Sequence, residues 1–412
     1  MAELEIKADG GRVLADLNSL RQIGAFKTGV HRPTLSEPHV RSLQWLAERL
    51  PEAGLVSTID GIGNVLGISA RPGVKLLAGS HLESQNQAGW LDGPLGVVYA
   101  LEAARVLNHR ADIPGAVEVA AWCDEEGHFG SLLGSRSYVG DVTDAAIDAA
   151  RDRTSGRSLR DALTAAGFAG RPRLKVEPGR HIGYLEAHIE QGNRLERAGL
   201  PIGVVTAIVG IWEYEITFTG QQNHAGTTAM DARQDAGLAL VKFCVAIDTA
   251  FPKSCGERTV WTTGRITLDP GAPSIIPGRA TMLLQVRDTD PECIKRLEGV
   301  LHDLAASSKA QGPCSVDVKR VRTGKPAAMD QGIQSAVEAA AADEAGGQSM
   351  RLPSGAGHDA QILATVMPAG MLFVPSIGGI SHHWTENTSD EHIVTGARVF
   401  VAACANLLRR AS

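Results

Sequence analysis

Short apolar runs alternate with segments of helical periodicity through the first half of the chain. Apolar runs of this length are typical of buried strands, and their alternation with helices is typical of an α/β domain with a largely parallel sheet. Four of the runs, which end near Ser80, Cys123, Ala187 and Ser376, are followed at once by polar residues. Ligands of open α/β sheets bind beyond the carboxyl ends of the strands, so we expect these polar segments to meet at one place.

The polar segments contain imidazoles and carboxylates. Both side-chain types suit zinc, manganese, cobalt or nickel, and a carboxylate can bridge two such cations in a hydrolytic site. Asp92 precedes a segment of helical periodicity, where capping the helix is the simplest role for it. A single histidine at the end of a strand is more often structural than a ligand, but several together indicate a metal centre. The residues of this candidate centre are His81, Asp92, Glu126, His188 and His382.

A pair of acidic residues, Glu125 and Glu126, follows the second of these strands. Adjacent side chains leave a strand in different directions. One of the two can therefore bind metal while its neighbour accepts a proton from water as a general base. The sequence DEEG on its own would indicate only a solvated acidic turn.

A second domain is indicated by a change of pattern near residue 210. The segment IWEYEITFTG alternates apolar and polar residues, which is typical of a half-buried strand, and a helix, two strands, a helix and a strand follow it. The order βαββαβ is that of the ferredoxin-like split unit. We therefore predict a catalytic domain made of residues 1–209 and 327–412, interrupted by an inserted domain of residues 210–326.

Composition excludes several classes of protein. Hydrophobic residues make up 43% of the 412 residues and charged residues 21%, as in ordinary globular proteins. A formal net charge of -6, without a basic stripe, argues against nucleic acid as a partner. The six cysteines are widely spaced, which argues against a thiolate zinc site or a disulfide framework. Because neither a signal-peptide pattern nor a long apolar run is present, we expect a cytoplasmic protein without membrane association.

Several motifs resemble those of the hydantoinase/carbamoylase subfamily of dinuclear metallopeptidase-like amidases. They are GSHLESQNQAGWLDGPLGV, DEEG, EAHIEQG, GQQNHAGTTAMDARQDA, SGAGHDA and GGISHH. Members of the subfamily include N-carbamoyl-L-amino acid hydrolases, allantoate amidohydrolases and β-ureidopropionases. The resemblance runs from about residue 20 to the C-terminus. It implies a zinc-aminopeptidase-like catalytic domain with an inserted lid domain, a homodimer formed through that lid, and two divalent metal ions per subunit.

The resemblance also implies a role for each residue that matches a family motif. His81 and His188 would bind one ion, Glu126 and His382 the other, and Asp92 would bridge the two. The general base would be Glu125, and the donor that stabilises the oxyanion would be His224 in the lid. The residues that would contact the substrate are Gln191 at its ureido or amide end, Arg287 at its carboxylate, and Gly355, Gly357 and His358 near the same carboxylate.

Three departures from the family pattern leave the metal ligands intact. Ser274 stands where the family has an Asn thirteen residues before Arg287, so the usual contact with the carbamoyl group is weakened or replaced. The segment after DEEG is shortened and lacks the Arg commonly found there. Glu83 stands where the family has an Asp that lies behind the imidazole of the metal ligand, here His81. Because Glu is longer than Asp by one carbon–carbon bond, roughly 1.5 Å, either the site is adjusted around Glu83 or its side chain turns away. We predict that Glu83→Ala weakens metal affinity.

The expected function is metal-dependent hydrolysis of a C–N bond in a small carboxylate-bearing substrate, an N-carbamoyl or related N-substituted amino acid. An aminoacylase or dipeptidase acting through the same centre is the alternative, and Ser274 favours it. A non-catalytic binding protein would have lost a ligand or the base, yet His81, Asp92, Glu125 and their partners are all present. Hydrolytic deamination at the same centre stays open, as does the choice of metal.

Overall fold

The computed structural model describes residues 6–411, which form a mixed α/β protein. These residues group into two compact units, each with its own hydrophobic core. The first unit contains the described residues up to Thr206, then Ala328–Ser354, and those from His358 onward. The second contains Ala207–Ala327 and Gly355–Gly357.

The helices and strands are numbered in chain order. The helices are α1 (Gly10–Gln22), α2 (Glu37–Arg49), α3 (Pro94–Leu107), α4 (Leu133–Val139), α5 (Asp144–Ala149), α6 (Leu159–Ala165), α7 (Arg194–Ala198), α8 (Ala236–Ala250), α9 (Pro291–Gln311), α10 (Gln331–Glu344), α11 (Asp359–Leu363) and α12 (Asp390–Arg410). The strands are β1 (Ala25–Phe26), β2 (Gly29–Val30), β3 (Val56–Ile59), β4 (Val65–Ile68), β5 (Val74–His81), β6 (Gly115–Trp122), β7 (His181–Ile189), β8 (Ile202–Ile208), β9 (Gly210–Thr219), β10 (Asn223–His224), β11 (Val260–Asp269), β12 (Ile275–Ile276), β13 (Arg279–Asp288), β14 (Ser315–Thr323), β15 (Ala327–Ala328), β16 (Ser349–Ser354) and β17 (Ala369–Val374).

The first unit is built on a nine-stranded sheet in the order β15-β8-β17-β7-β5-β6-β4-β3, with β16 paired to β8. Its centre is parallel, since β17 pairs with β7, β7 with β5, and β5 with β6. The flanking pairs, β6 with β4, β4 with β3 and β17 with β8, are antiparallel. The four buried strands predicted from the sequence are therefore confirmed, and they are neighbours.

The central strands are largely apolar and almost entirely buried because both faces of the sheet are covered. Every residue of β6 is buried, and so is every residue of β17. Helix α3 packs against β5 and β6, while α12 packs against α3, α10 and β17. Because the four strands run parallel, their carboxyl ends lie at one edge of the sheet, and the polar segments that follow them come together there.

The second unit contains a four-stranded sheet in the order β11-β13-β9-β14, in which all neighbours are antiparallel. Helices α8 and α9 pack against this sheet and against each other. The alternation predicted for β9 is confirmed, since Trp212, Tyr214, Ile216 and Phe218 are buried. Helix α8 begins after Asp235, whose side chain accepts a hydrogen bond from the backbone N–H of Leu238 and caps the helix.

The six cysteines are all free, as the spacing in the sequence predicted. Four of them are buried: Cys123, Cys293, Cys314 and Cys404. Within residues 6–411, no helix combines the length and the apolar character needed to cross a bilayer.

Candidate active site

Two glycines between β5 and α3 allow close contacts in the site that a side chain would block. Gly93 has φ +88°, and a Cβ at that position would lie 2.4 Å from His81 Cε1. A Cβ on Gly89 would lie 1.9 Å from the carboxylate of Glu386. The N-cap of α3 is Gly93, without a side-chain hydrogen bond, so the capping role considered for Asp92 is wrong. Its carboxylate is directed to other partners.

Asp92 lies between two groups of donor atoms. Its Oδ1 is 3.1 Å from His188 Nε2 and 3.5 Å from His81 Nε2. Its other oxygen, Oδ2, is 3.4 Å from His382 Nε2, and that nitrogen is 3.6 Å from Glu126 Oε2. A single carboxylate thus presents one oxygen to each group.

Each group has the spacing of ligands around one metal ion. In the first group the donors belong to His81, Asp92 and His188, in the second to Asp92, Glu126 and His382, and within each group they lie within 4.8 Å of one another. Atoms that each lie ~2.0–2.2 Å from a tetrahedral zinc ion are ~3.4 Å apart. His81 Nε2 is moreover buried without a hydrogen-bond partner among residues 6–411, which is costly unless a ligand satisfies it. The donor set therefore fits two divalent ions that share Asp92.

The two buried imidazoles are oriented by backbone carbonyls. His81 Nδ1 lies 3.2 Å from the carbonyl oxygen of Glu83, and His188 Nδ1 lies 2.9 Å from that of Ile189. A carbonyl only accepts hydrogen bonds, so in each neutral ring Nδ1 carries the proton and Nε2 has the free lone pair. This is the tautomer that a metal ligand needs, and second-sphere contacts of this kind are usual for metal-binding histidines.

The charges of this cluster favour an ionised carboxylate. Burial by itself would raise the pKa of Asp92, but His188 and His81 outweigh it and hold that pKa well below its usual value. Burial likewise would lower the pKa of His81 and of His188, yet Asp92 raises both, with help from Glu125 at His81. Metal ligands must be deprotonated carboxylates and neutral imidazoles. A bound cation would therefore take the place of the protons on the two imidazoles as the positive charge beside Asp92.

Glu126 is oriented by Gln85, which lies in the same loop as His81. The Gln85 side-chain amide donates to Glu126 Oε2 at 2.7 Å and to the Glu126 carbonyl at 3.1 Å. The Gln85 backbone N–H donates to Glu126 Oε1 at 3.2 Å. Arg153 in turn donates to the amide oxygen of Gln85. His382, the other member of this group, is half exposed and has φ +57°.

Asp92 Oδ2 also accepts two side-chain hydrogen bonds. Ser381 Oγ and Gln191 Nε2 each donate to it at 2.8 Å. The backbone N–H of Asp92 donates to Glu386 Oε1 at 3.1 Å, and Ser381 Oγ lies 3.2 Å from Glu386 Oε2. Burial, reinforced by Asp92, raises the pKa of Glu386 to about 8. Glu386 thus ties the Asp92 backbone and Ser381 together.

Glu125 lies beside the first group of donors. Its Oε2 is 3.8 Å from His81 Nε2, and only 11% of its side chain is exposed. Burial raises the pKa of its carboxyl well above the usual value, and the neighbouring Glu126 raises it further, while His81 lowers it. A carboxyl beside a candidate metal centre is placed to receive a proton from water and to return it.

The profile of peptidase family M20/M25/M40 matches residues 75–406 of the chain. The chain belongs to this family. It is 33% identical over 400 residues to the N-carbamoyl-L-amino acid amidohydrolase of Geobacillus stearothermophilus, covering 95% of this chain and 96% of that protein. It is 32% identical over 378 residues to the allantoate amidohydrolase of Escherichia coli (strain K12), covering 90% and 91%. A hydantoinase/carbamoylase family amidase from Burkholderia phymatum, known from its crystal structure, is 46% identical, with a TM-score of 0.90 over 100% of both chains.

These matches confirm the resemblance on which the sequence prediction rests. M20 family members generally use a dinuclear site for divalent metals, and the two groups around Asp92 are candidate ligands for such a site. The mixed α/β architecture is that of the M20 peptidase family.

The predicted substrate contacts in the second unit occur in two places. The short pair β10-β12 sets His224 opposite Ile275, and Ala225 N donates to the Ser274 carbonyl at 2.9 Å. His224 is exposed, and its Nδ1 accepts the N–H groups of Gly226 and Thr227 at 3.0 and 3.2 Å. In the neutral ring the proton is therefore on Nε2, which makes that atom a donor.

Arg287, in β13, is half-buried. Its Nε donates to Gln285 Oε1 at 2.6 Å and its Nη1 to the Gly355 carbonyl at 2.8 Å. Gly355 and Gly357 belong to the short stretch 355–357 that groups with the second unit. The guanidinium is thus held in place by one side chain and one carbonyl.

Two other predicted substrate contacts lie in the first unit. Gln191 has φ +56° and directs its amide nitrogen at Asp92, while its buried Oε1 lacks a hydrogen-bond partner among the described residues. His358 is buried, with its Nε2 2.8 Å from Ser354 Oγ and its ring edge-on to that of His188 at 4.6 Å. His358 therefore packs against the ring of His188, which is a candidate metal ligand.

Sequence reasoning missed three residues of the site: Gln85, Ser381 and Glu386. Gln85 and Ser381 lie inside motifs that carry the family resemblance, GSHLESQNQAGWLDG and GGISHH. Their positions next to ligand-bearing residues were the available signal. Glu386 is followed by Asn387, Thr388 and Ser389 in an ordinary polar stretch that gives no hint of its burial.

Proposed function

We propose that the protein is a metal-dependent amidohydrolase that cleaves a C–N bond of an N-carbamoyl (ureido) or related N-substituted amino acid. The observation that carries the proposal is the pair of donor groups that share Asp92, with the buried Glu125 beside them. The names of the relatives, N-carbamoyl-L-amino acid and allantoate amidohydrolases, support the same class of substrate.

In this proposal His81 and His188 would hold one divalent ion, Glu126 and His382 would hold the other, and Asp92 would serve both. When bound, such ions polarise a substrate carbonyl and make water a stronger nucleophile at neutral pH. Zinc, manganese, cobalt and nickel all suit these ligands.

Glu125 serves as the general base. It accepts the proton of the water that attacks the substrate carbonyl, and it returns that proton to the nitrogen when the C–N bond breaks. Burial raises the pKa of its carboxyl, which makes Glu125 a stronger proton acceptor. Complete hydrolysis of an N-carbamoyl group releases ammonia, carbon dioxide and the free amine, whereas hydrolysis of an N-acyl amide releases the free amine and a carboxylic acid without ammonia.

Gln191 fits the ureido end of the substrate. Its side-chain oxygen is buried without a partner among the residues that the structure describes, and a ureido group supplies N–H donors. Its amide nitrogen is already directed to Asp92, which fixes the orientation of the side chain.

The other substrate roles stay predictions from the family motifs. Nε2 of His224 carries the proton that stabilisation of an oxyanion requires. Arg287 offers a planar guanidinium suited to a carboxylate. Ser274 has a shorter side chain than the Asn of the family. The contact with the carbamoyl group is therefore weaker, or another residue makes it.

We further propose that the second unit is the ferredoxin-like lid of the family, and that the protein forms a homodimer through it. The first part is supported by the four-stranded sheet and its two helices, whose main elements follow in the chain order strand, helix, strand, strand, helix, strand. Light scattering of the purified protein tests the second part, since a mass of one chain at micromolar concentration would contradict it.

The experiment that tests the function is a substrate screen with protein reconstituted separately with each of the four metals. N-carbamoyl amino acids and allantoate are compared with the matching N-acetyl amino acids, and ammonia and free amine are measured in parallel. We expect ammonia from the ureido acids. Free amine from the acetyl compounds without ammonia from the ureido acids would instead establish the aminoacylase alternative, which the relatives do not favour.

A further inference from the structure

Glu83 is fully buried, but its carboxylate does not bind the imidazole that precedes it by two residues. Glu83 Oε1 is 3.8 Å from His81 Nδ1, beyond hydrogen-bonding distance, whereas the Glu83 backbone carbonyl is 3.2 Å from the same nitrogen. The orientation of His81 therefore depends on the main chain of residue 83. The side chain of Glu83 has a different task.

The carboxylate of Glu83 accepts hydrogen bonds from the turn that carries the general base. Its Oε1 accepts the backbone N–H of Glu125 at 2.5 Å and lies 3.4 Å from the backbone N of Glu126. Both bonds run from the peptide groups of the DEEG turn to one carboxyl oxygen.

This turn starts from a strained residue. Asp124 has φ +63°, a left-handed conformation that non-glycine residues seldom adopt. Such conformations persist where the surroundings fix the backbone on several sides. On one side the Asp124 carboxylate itself accepts the N–H groups of His128, Phe129 and Gly130 at 2.7–2.9 Å. On the other side the only side-chain acceptor that the described residues supply to the N–H of Glu125 is Glu83.

The second oxygen of Glu83 faces a buried histidine. His39 Nδ1 accepts the N–H of Leu35 at 2.9 Å, so its neutral ring carries the proton on Nε2. That Nε2 is 3.5 Å from Glu83 Oε2, and neither atom has another hydrogen-bond partner among residues 6–411. His39 thus backs the carboxylate from the side opposite the DEEG turn.

We propose that Glu83, backed by His39, is a positioning residue that places the general base Glu125 by holding the peptide N–H groups of residues 125 and 126. The inference rests on the proposed function for the role of Glu125, but the contact itself does not. It replaces the expectation that the Glu83 side chain supports metal binding through His81. The length of the Glu83 side chain lets its carboxyl group reach the backbone N–H of Glu125.

Reach decides the effect of substitution at this position. Asp is shorter than Glu by one carbon–carbon bond, roughly 1.5 Å, so Glu83→Asp keeps the charge and withdraws it from the turn. Glu83→Gln keeps the reach and one acceptor oxygen. Its amide can donate to His39 only if that ring moves its proton to Nδ1 and gives up the bond from Leu35, so this variant should be impaired in part.

The test compares the parent, Glu83→Asp and Glu83→Gln as metal-loaded proteins. We expect Glu83→Asp to retain its bound metal and its KM, and to lose kcat by roughly 100-fold, the effect of misplacing a catalytic group by ~1 Å. Backbone amide exchange in the peptide covering residues 123–130 should quicken in Glu83→Asp. Glu83→Gln should lie between Glu83→Asp and the parent in both kcat and exchange.

Glu102→Asp is the matched control. Glu102, in α3, is also fully buried, and its carboxylate accepts the backbone N–H of Asp9 at 2.7 Å. It should leave kcat and the exchange of residues 123–130 unchanged. The inference is overturned if Glu83→Asp keeps parental kcat and exchange, if Glu83→Asp is less impaired than Glu83→Gln, or if it loses metal while exchange stays parental. Should the parent release no ammonia from any ureido acid, the proposed function fails, while the exchange comparison still decides whether Glu83 holds the turn.

Discussion

Gln85→Ala should weaken one of the two metal sites and spare the other. Among the candidate ligands Gln85 contacts only Glu126, and its side-chain amide makes two of those bonds, at 2.7 Å to Oε2 and at 3.1 Å to the carbonyl. The first group of donors around Asp92 contains neither residue. The change therefore removes the orientation of one ligand without removing any ligand.

The size of the effect follows from the bond that is lost. A hydrogen bond to a charged group contributes ~1.5–3 kcal/mol, which corresponds to roughly a 10- to 150-fold increase in the Kd of the Glu126 site. Loss of a second-sphere partner typically costs 10–100-fold in metal affinity, so the two estimates agree. Titration of the metal-free protein with Co²⁺, followed by absorbance and calorimetry, resolves the two binding steps.

Asn86→Ala is the control, since Asn86 is the next residue in the loop and donates to Thr154 Oγ1 at 3.2 Å instead of to a ligand. It should leave both binding steps unchanged. The reasoning is refuted if Gln85→Ala weakens both steps equally, or if it changes neither.

Three further predictions concern the base, the substrate and acid stability. Glu125→Gln should keep its bound metal and lose ~10²–10⁴-fold in kcat, measured by ammonia release. Arg287→Lys, which loses the planar fork, should raise KM for a carboxylate substrate by ~10-fold or more in steady-state assays. Burial would raise the pKa of Glu118, but hydrogen bonds from His181 and Arg180 lower it from 4.5 to about 2. The ionised form of Glu118 therefore stabilises the fold above ~pH 4.5, and this stabilisation is lost as the pH falls toward 2. In urea unfolding, Glu118→Gln should cost roughly 3 kcal/mol at pH 7, and the difference should shrink by ~1 kcal/mol at pH 4; a difference independent of pH would contradict this.

The sheet was predictable because burial on both faces leaves its central strands as largely apolar runs. Parallel neighbours end at the same edge, so the convergence of His81, Glu126, His188 and His382 followed from the strand pattern. The alternation along β9 likewise identified the residues that face the core of the second unit.

The contacts within the site depend on features without a sequence signature. Asp124, Gln191 and His382 all have positive φ, at 63°, 56° and 57°, although none is glycine. Such conformations are imposed by surrounding contacts and do not follow from the residue type. The direction of the Glu83 carboxylate is a further example. The spacing of the motif indicates the His81 imidazole as its partner, whereas the path of the DEEG turn makes the backbone N–H of Glu125 its partner.

The central claim is that two divalent ions share Asp92, and counting bound metal tests it most directly. Parent, His188→Ala, His382→Ala and Asp92→Ala are dialysed free of metal, reloaded with zinc, and analysed for ions per chain by mass spectrometry. The parent should bind two ions, each histidine variant should keep one at the remaining group, and Asp92→Ala should bind neither tightly. Two ions retained by Asp92→Ala, or a single ion in the fully loaded parent, would contradict the account.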